Sequence, residues 1–351
     1  MHTPNLIDRK SMPTTMQASE QLTMPSRKVE WIAILEKFGV FLFLLLLIIF
    51  FQFQNERFLS IRNVVNILSD VSIYGILSVG MTLVILTSGI DLSIGSLLAF
   101  GSMCGAVAVK SWPGLGATGY SWVVALGISL TVGSGAGYLH GKAITKLRVP
   151  AFIVTLGGMT LWRGATLMLS NGSPVSGFDN SYRWWGRGDV LGVPSLVLIS
   201  AIVALVGFVI LRYTRFGRHV YAVGDNPEAA RLSGLDVDGT LTRVYAIMGC
   251  LAGLAGFILS ARLSSAEAVA GEGYELRVIA SVVIGGTSLF GGLGGIAGTI
   301  VGTLLTGVLL NGLVIMDVSA YSQQVIIGII IVLAVAFDTY AKTRRGRAVG
   351  K

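Results

Sequence analysis

Apolar residues in this chain come in long runs rather than in the short alternations of a soluble fold. Residues 38–53 contain no charge and almost no polar group, and comparable stretches recur to the end of the chain. A helix rises about 1.5 Å per residue, so about 20 apolar residues span a bilayer. On that measure the chain reads as about ten transmembrane helices: 38–53, 64–87, 93–109, 122–140, 151–169, 193–211, 243–261, 277–290, 296–315 and 322–338. The eighth, short and dense in glycine, is a broken segment. Residues 1–30 are polar and read as a disordered cytoplasmic tail with no cleavable leader, 31–340 as the membrane domain, and 341–351 as a basic cytoplasmic tail.

Composition agrees with the pattern. Hydrophobic residues make up 53% and charged ones 13%, against about a quarter charged in soluble domains, so lipid is the solvent this chain is built for. The net charge of +8 does not point to nucleic acid, because the basic residues are scattered between apolar spans. With an inside amino terminus and ten crossings, 18 of the 26 Lys and Arg fall on the inner side and 7 on the outer, with Arg163 inside a span. That excess places both termini in the cytoplasm. Cys104 and Cys250 lie alone in apolar stretches with no metal-ligand spacing, so they read as packing residues and no cofactor is expected. The spacings Gly101/Gly105, Gly133/Gly137, Gly249/Gly253 and Gly298/Gly302 predict close helix contacts.

Three segments break the membrane pattern. Thr87-Ser-Gly-Ile-Asp91-Leu-Ser-Ile-Gly95-Ser96 sets a carboxylate between two apolar runs, where an ionisable group needs a partner or a wet cavity. Gly89 and Gly95 would let the backbone turn, with Ser88 and Ser93 serving freed amides; alternatively Asp91 caps the next helix. In 155–164, Trp162 beside Arg163 offers an aromatic platform and a fork of donors of the kind that binds sugar, and Thr155 in the same segment is a further candidate for the path. A structural pairing of Arg163, or its snorkelling to the outer surface, is the competing reading. The third segment, 285–295, is a glycine cluster carrying Thr287 and Ser288, and it interrupts the second half as 88–96 interrupts the first. Paired interruptions point to a transport path. Asn311 is a further isolated polar group in a span.

The longest inner connection, 212–242, contains a short helix signal. Asn226 is a plausible N-cap, Pro227 sits at the first helical position, Glu228 suits the positive helix end and Gly234 closes the helix. The side-by-side Ala229 and Ala230, followed by Arg231, Leu232 and Ser233, would make a small knob for another protein's groove.

The ordered motifs Val79-Gly-Met-Thr-Leu-Val-Ile-Leu-Thr-Ser-Gly-Ile-Asp-Leu-Ser-Ile-Gly, Asn171-Gly-Ser-Pro-Val, Thr214-Arg-Phe-Gly-Arg, Ala229-Ala-Arg-Leu-Ser-Gly and Gly285-Gly-Thr-Ser-Leu are similar to those of the ribose-type sugar permeases of ATP-binding-cassette importers. The resemblance covers about residues 55–340. It implies an all-α, type II importer-like membrane fold and an inner-membrane permease that imports a monosaccharide. It also implies a second permease copy as partner, a cytoplasmic ATPase, and a periplasmic sugar-binding protein. The segment 226–234 matches the family's coupling helix. Consistent with a separate ATPase, Gly141-Lys142 lacks the rest of a P-loop, and no nucleophile has a base placed near it, so the chain is not read as an enzyme. An ion-coupled secondary transporter is the alternative, since broken helices and Asp91 would also suit an ion site.

Overall fold

The structure is a computed structural model that describes residues 27–349. Most of the tail expected at 1–30 lies outside the described residues. The chain divides into Met1–Gly39 and Val40–Lys351. Helix α1 (Arg27–Gln54) begins within the first unit, and everything that follows concerns the second.

In chain order the helices are α2 (Ile61–Leu86), α3 (Ile94–Ser111), α4 (Ser121–Lys146), α5 (Ala151–Ser170), α6 (Asn180–Arg187), α7 (Ser195–Tyr213), α8 (Arg215–Asp225), α9 (Pro227–Leu232), α10 (Val237–Leu263), α11 (Tyr274–Ile284), α12 (Ile296–Ile315) and α13 (Ala320–Val349). Every expected crossing falls on a helix, and α13 continues into the basic segment as far as Val349. Among the described residues, seven helices, α2, α3, α4, α5, α7, α10 and α12, are long and apolar enough to cross a membrane by themselves, and α1 and α13 each carry a shorter apolar stretch. The eighth segment, expected at 277–290, differs most. Its helix covers only 11 residues, or roughly 17 Å, and ends at Gly285 where the glycine cluster begins.

Helix α2 is the axis of the unit. Its residues from Ile73 to Leu86 are almost all buried, as suits a helix apolar on every side. In lipid, apolar surface alone does not pull helices together, so close backbone approach and a few hydrogen bonds must do so. The glycine spacings supply the approach. A Cβ on Gly133 would lie 2.2 Å from the Gly249 carbonyl oxygen, one on Gly137 2.1 Å from that of Tyr245, and one on Gly253 2.1 Å from that of Ser129. Helices α4 and α10 therefore cross backbone to backbone. Gly298 and Gly302 perform the same role between α12 and α11, against Gly285 and Ser281. Hydroxyl pairs add polar ties: Thr82 to Thr299 at 2.7 Å joins α2 to α12, and Ser281 to Thr306 at 2.9 Å joins α11 to α12.

The segment between α5 and α7 caps one end of the bundle. Asp179 accepts hydrogen bonds from Ser121 Oγ and from the Ser181 and Tyr182 amides, which starts α6. Burial alone would raise this carboxyl, but the hydrogen bonds from Ser121 and Ser181 outweigh it and hold the group below the usual aspartate value. Short antiparallel pairings, β1 (Val175–Ser176) with β4 (Ser265–Ala266) and β2 (Asp189–Val190) with β3 (Val193–Pro194), fasten the same end.

Candidate functional site

The expected short helix is present in the 212–242 connection. Thr214 Oγ1 accepts from the Gly217 amide to start α8, and Asn226, in extended backbone conformation, both ends α8 and starts α9. Its Oδ1 accepts from the Ala229 amide at 3.0 Å, Pro227 occupies the first position, and Gly234 leaves the helix at φ +80°. Arg231 reaches Asp238 at 3.1 Å, but both side chains are about half exposed, so the pair adds little stability. One expectation needs correction. Ala229 and Ala230 do not form a joint knob, because Ala230 is 4% exposed and packs with Val223 and Val237 in a small core of its own. The protruding side chain is Leu232, at 88% exposure.

Helix α8 links this surface to both interrupted segments. A Cβ on Gly224 would lie 1.7 Å from the Leu86 carbonyl oxygen, at the end of α2, and 2.8 Å from the Gly292 nitrogen. The Gly292 amide itself donates to Leu86 O at 3.0 Å. Ser88 Oγ donates to Phe290 O at 2.8 Å and, more weakly, to Gly224 O at 3.3 Å. The Tyr221 hydroxyl donates to Gly294 O at 2.9 Å. Burial pushes the Tyr221 phenol above its ordinary pKa, so it remains a neutral donor. The two interruptions, 200 residues apart, are thus one joint with the end of α8 wedged into it. Within it, Thr287 is buried and the Ser288 amide donates to Leu293 O at 2.9 Å, folding the glycine cluster on itself.

Backbone strain in the first interruption falls where the sequence did not suggest. Ser88 takes the left-handed conformation at φ 60°, whereas Gly95 lies inside α3, where a Cβ would stand 2.0 Å from Gly271 O. Gly95 therefore serves close packing rather than unwinding. Asp91 does not cap α3 either; the N-cap position belongs to Ser93.

Asp91 instead anchors a second cluster, buried except at its Trp162 edge. Its Oδ1 accepts from the Ser93 amide at 2.9 Å and from Ser93 Oγ at 2.6 Å. Ser93 Oγ also stands 3.4 Å from His140 Nδ1, and the Trp162 indole donates to His140 Nε2 at 3.0 Å. An indole nitrogen only donates, so Nε2 is the acceptor and the imidazole proton sits on Nδ1, facing Ser93. Thr155 Oγ1 ties α5 to this cluster through the Ile90 carbonyl at 3.1 Å. Trp162 stacks on Phe100 at 5.2 Å between ring centres, so it is not an open platform in this conformation. His140 escaped the sequence reading because its partners are 22 and 47 positions away.

The remaining candidates lie apart. Arg163 donates to the carbonyls of Ala268 at 2.5 Å and Ala270 at 2.9 Å, with Glu272 and Glu275 close enough to act on its charge. Its role here is to hold the loop before α11. Asn311 and Asn63 exchange amide hydrogen bonds at 2.9 and 3.1 Å, and Asn311 also borders a cavity of about 310 Å³. Among the described residues, no three His, Cys, Asp or Glu side chains are grouped to hold a metal.

Residues 63–335 match the family model described as "Branched-chain amino acid transport system / permease component". The chain belongs to this permease family. It is 48% identical over 299 residues to the ribose import permease protein RbsC of Escherichia coli strain K12, an alignment covering 84% of this chain and 91% of the relative. It is 41% identical over 322 residues to RbsC of Bacillus subtilis strain 168, covering 91% and 98%. The D-allose transport system permease protein AlsC of Escherichia coli strain K12 is 37% identical over 304 residues, covering 86% and 91%. No solved structure matches. The permease is therefore a multi-pass inner-membrane subunit of an importer rather than an enzyme. In this family an ATPase and a binding protein complete the transporter, so the ion-coupled alternative is not favoured.

Proposed function

We propose that the permease carries a monosaccharide, a pentose or hexose, inward through a passage made with a second copy of itself. A separate cytoplasmic ATPase drives it, and a periplasmic sugar-binding protein delivers the sugar. The relatives named for ribose and D-allose support the substrate class, and the excess of Lys and Arg on one side supports cytoplasmic termini and a cytoplasmic α9.

The observation that carries the coupling proposal is the joint at Gly224. Helix α9 offers Leu232 to a partner, Ala230 locks α9 to the end of α8, and α8 abuts the ends of α2 and of the glycine cluster. Closure of the ATPase pair would push on Leu232 and move both interruptions together. The buried residues Asp91, Ser93 and Thr155, with the half-buried Trp162, then line the path only when that movement opens the bundle. Leu232→Glu tests this directly. It should leave the protein inserted and the ATPase active, yet cut uptake roughly tenfold or more, as for a residue central to an interface. Wild-type uptake by this variant would overturn the coupling role.

A further inference from the structure

The cavity beside Asn311 is separate from both the joint at Gly224 and the Asp91 cluster. It lies among α2, α10, α11, α12 and α13. The 12 steps of α2 from Tyr74 to Leu86 put roughly 18 Å between it and the joint at Gly224. Helix α10 also starts beside α9 and reaches the cavity only at Arg262, near its other end. The cavity therefore opens at the end of the bundle opposite α9.

Its lining is unusual for the inside of a membrane bundle. Asp70 and Arg262 form an ion pair at 2.5 Å, and the Asp70 side chain is 57% exposed. Arg277 donates to the Tyr74 hydroxyl at 2.8 Å and has no ion pair among the described residues. Charged side chains within spans face protein or water, not lipid, and these three face the cavity. Tyr74 and Tyr274 stand 4.6 Å apart between ring centres with their rings inclined at 44°, and form an aromatic wall. Carboxylate, guanidinium and amide groups thus ring an aromatic face, which suits a ligand whose edge is hydroxyl and whose face is C–H. A volume of about 310 Å³ sits at the low end of the range of about 300–1,000 Å³ for ligand pockets, which suits one ring rather than two. Asp70 offsets the charge of Arg262, which leaves the positive charge of the lining on Arg277.

We propose that this cavity is a recognition pocket within a single permease copy for a neutral, single-ring polyhydroxylated solute, with Arg277 as its main hydrogen-bond donor and the tyrosine pair as its stacking wall. The inference rests on the sugar-import reading for its biological use but not for its binding test. Gln323 borders the cavity. In a Cys104→Ala, Cys250→Ala background, Gln323→Cys would be labelled with a membrane-impermeant thiol reagent, using D-ribose, sucrose or glycerol 1-phosphate as the competing probe. D-ribose at ten times its Kd should slow labelling about tenfold, and the other two should not. Adding Arg277→Gln should abolish that protection, and Arg277→Gln alone should raise the KM for D-ribose uptake about tenfold or more with little change in kcat. Protection by glycerol 1-phosphate alone would make the cavity an anion or lipid-headgroup site and overturn the proposal. Equal protection by sucrose would overturn the one-ring limit, and uptake without any protection would overturn the pocket while leaving the import reading standing. Protection by D-ribose in a protein that shows no ATP-driven uptake would support the pocket and refute the import reading.

Discussion

Replacing Gly224 with alanine should stop ATP-driven uptake while leaving the permease in the membrane. The new methyl carbon would stand 1.7 Å from the Leu86 carbonyl oxygen, a backbone atom that cannot swing aside. Relief requires α8 to lift from α2, which stretches the bonds from Ser88 to Gly224 and from Tyr221 to Gly294. Overpacking of this kind costs about 1–3 kcal/mol, enough to depopulate the joined state roughly 5- to 150-fold. The side-chain core around Ala230 is untouched, so α9 should still engage the ATPase, and nucleotide hydrolysis should persist without transport. Gly157→Ala is the matched control, since a Cβ there meets nothing within 4 Å, and it should transport normally. Uptake and ATPase assays on the reconstituted transporter, with a membrane-fraction blot for insertion, read the outcome. Normal uptake by Gly224→Ala would mean that α8 moves independently of α2.

A different failure is expected of Gly249→Val. Here a Cβ would be 2.1 Å from Gly133 O, and a Cβ on Gly133 would in turn strike Gly249 O at 2.2 Å, so neither helix has a flexible atom to yield. Forcing α4 and α10 apart also loosens the nearby contacts of Gly137 and Gly253. The cost should be about 3 kcal/mol or more, a large part of the 5–15 kcal/mol that holds a typical fold. The variant should aggregate on extraction into detergent, seen as loss of the monodisperse peak in size exclusion. Gly127→Ala, on the partner helix α4, faces open space and should elute as wild type.

Much of the architecture could be read from the chain because helix formation in lipid is a local requirement. Each apolar run must satisfy its own backbone, so the helices emerge from 20-residue windows, and the cap at Asn226 and Pro227 emerges from two adjacent residues. Glycine spacing marked the faces that pack but not their partners. What stayed hidden depends on which helix lies opposite. Ala229 and Ala230 are indistinguishable in sequence, and only the positions of Val223 and Val237 bury one and expose the other. His140 looked isolated until α5 brought Trp162 to its ring. Arg163 and Trp162, neighbours in sequence that together suggested a sugar site, point to different partners, the loop before α11 and the core beside α4. The cavity draws its lining from five helices, so no single window carried its signal.

The central claim is that an external ATPase powers this passage. Proteoliposomes containing the permease should accumulate D-ribose only when the ATPase subunit and ATP are on the α9 side and the sugar-binding protein is on the other. Accumulation by the permease alone, driven by a sodium or proton gradient, would contradict it.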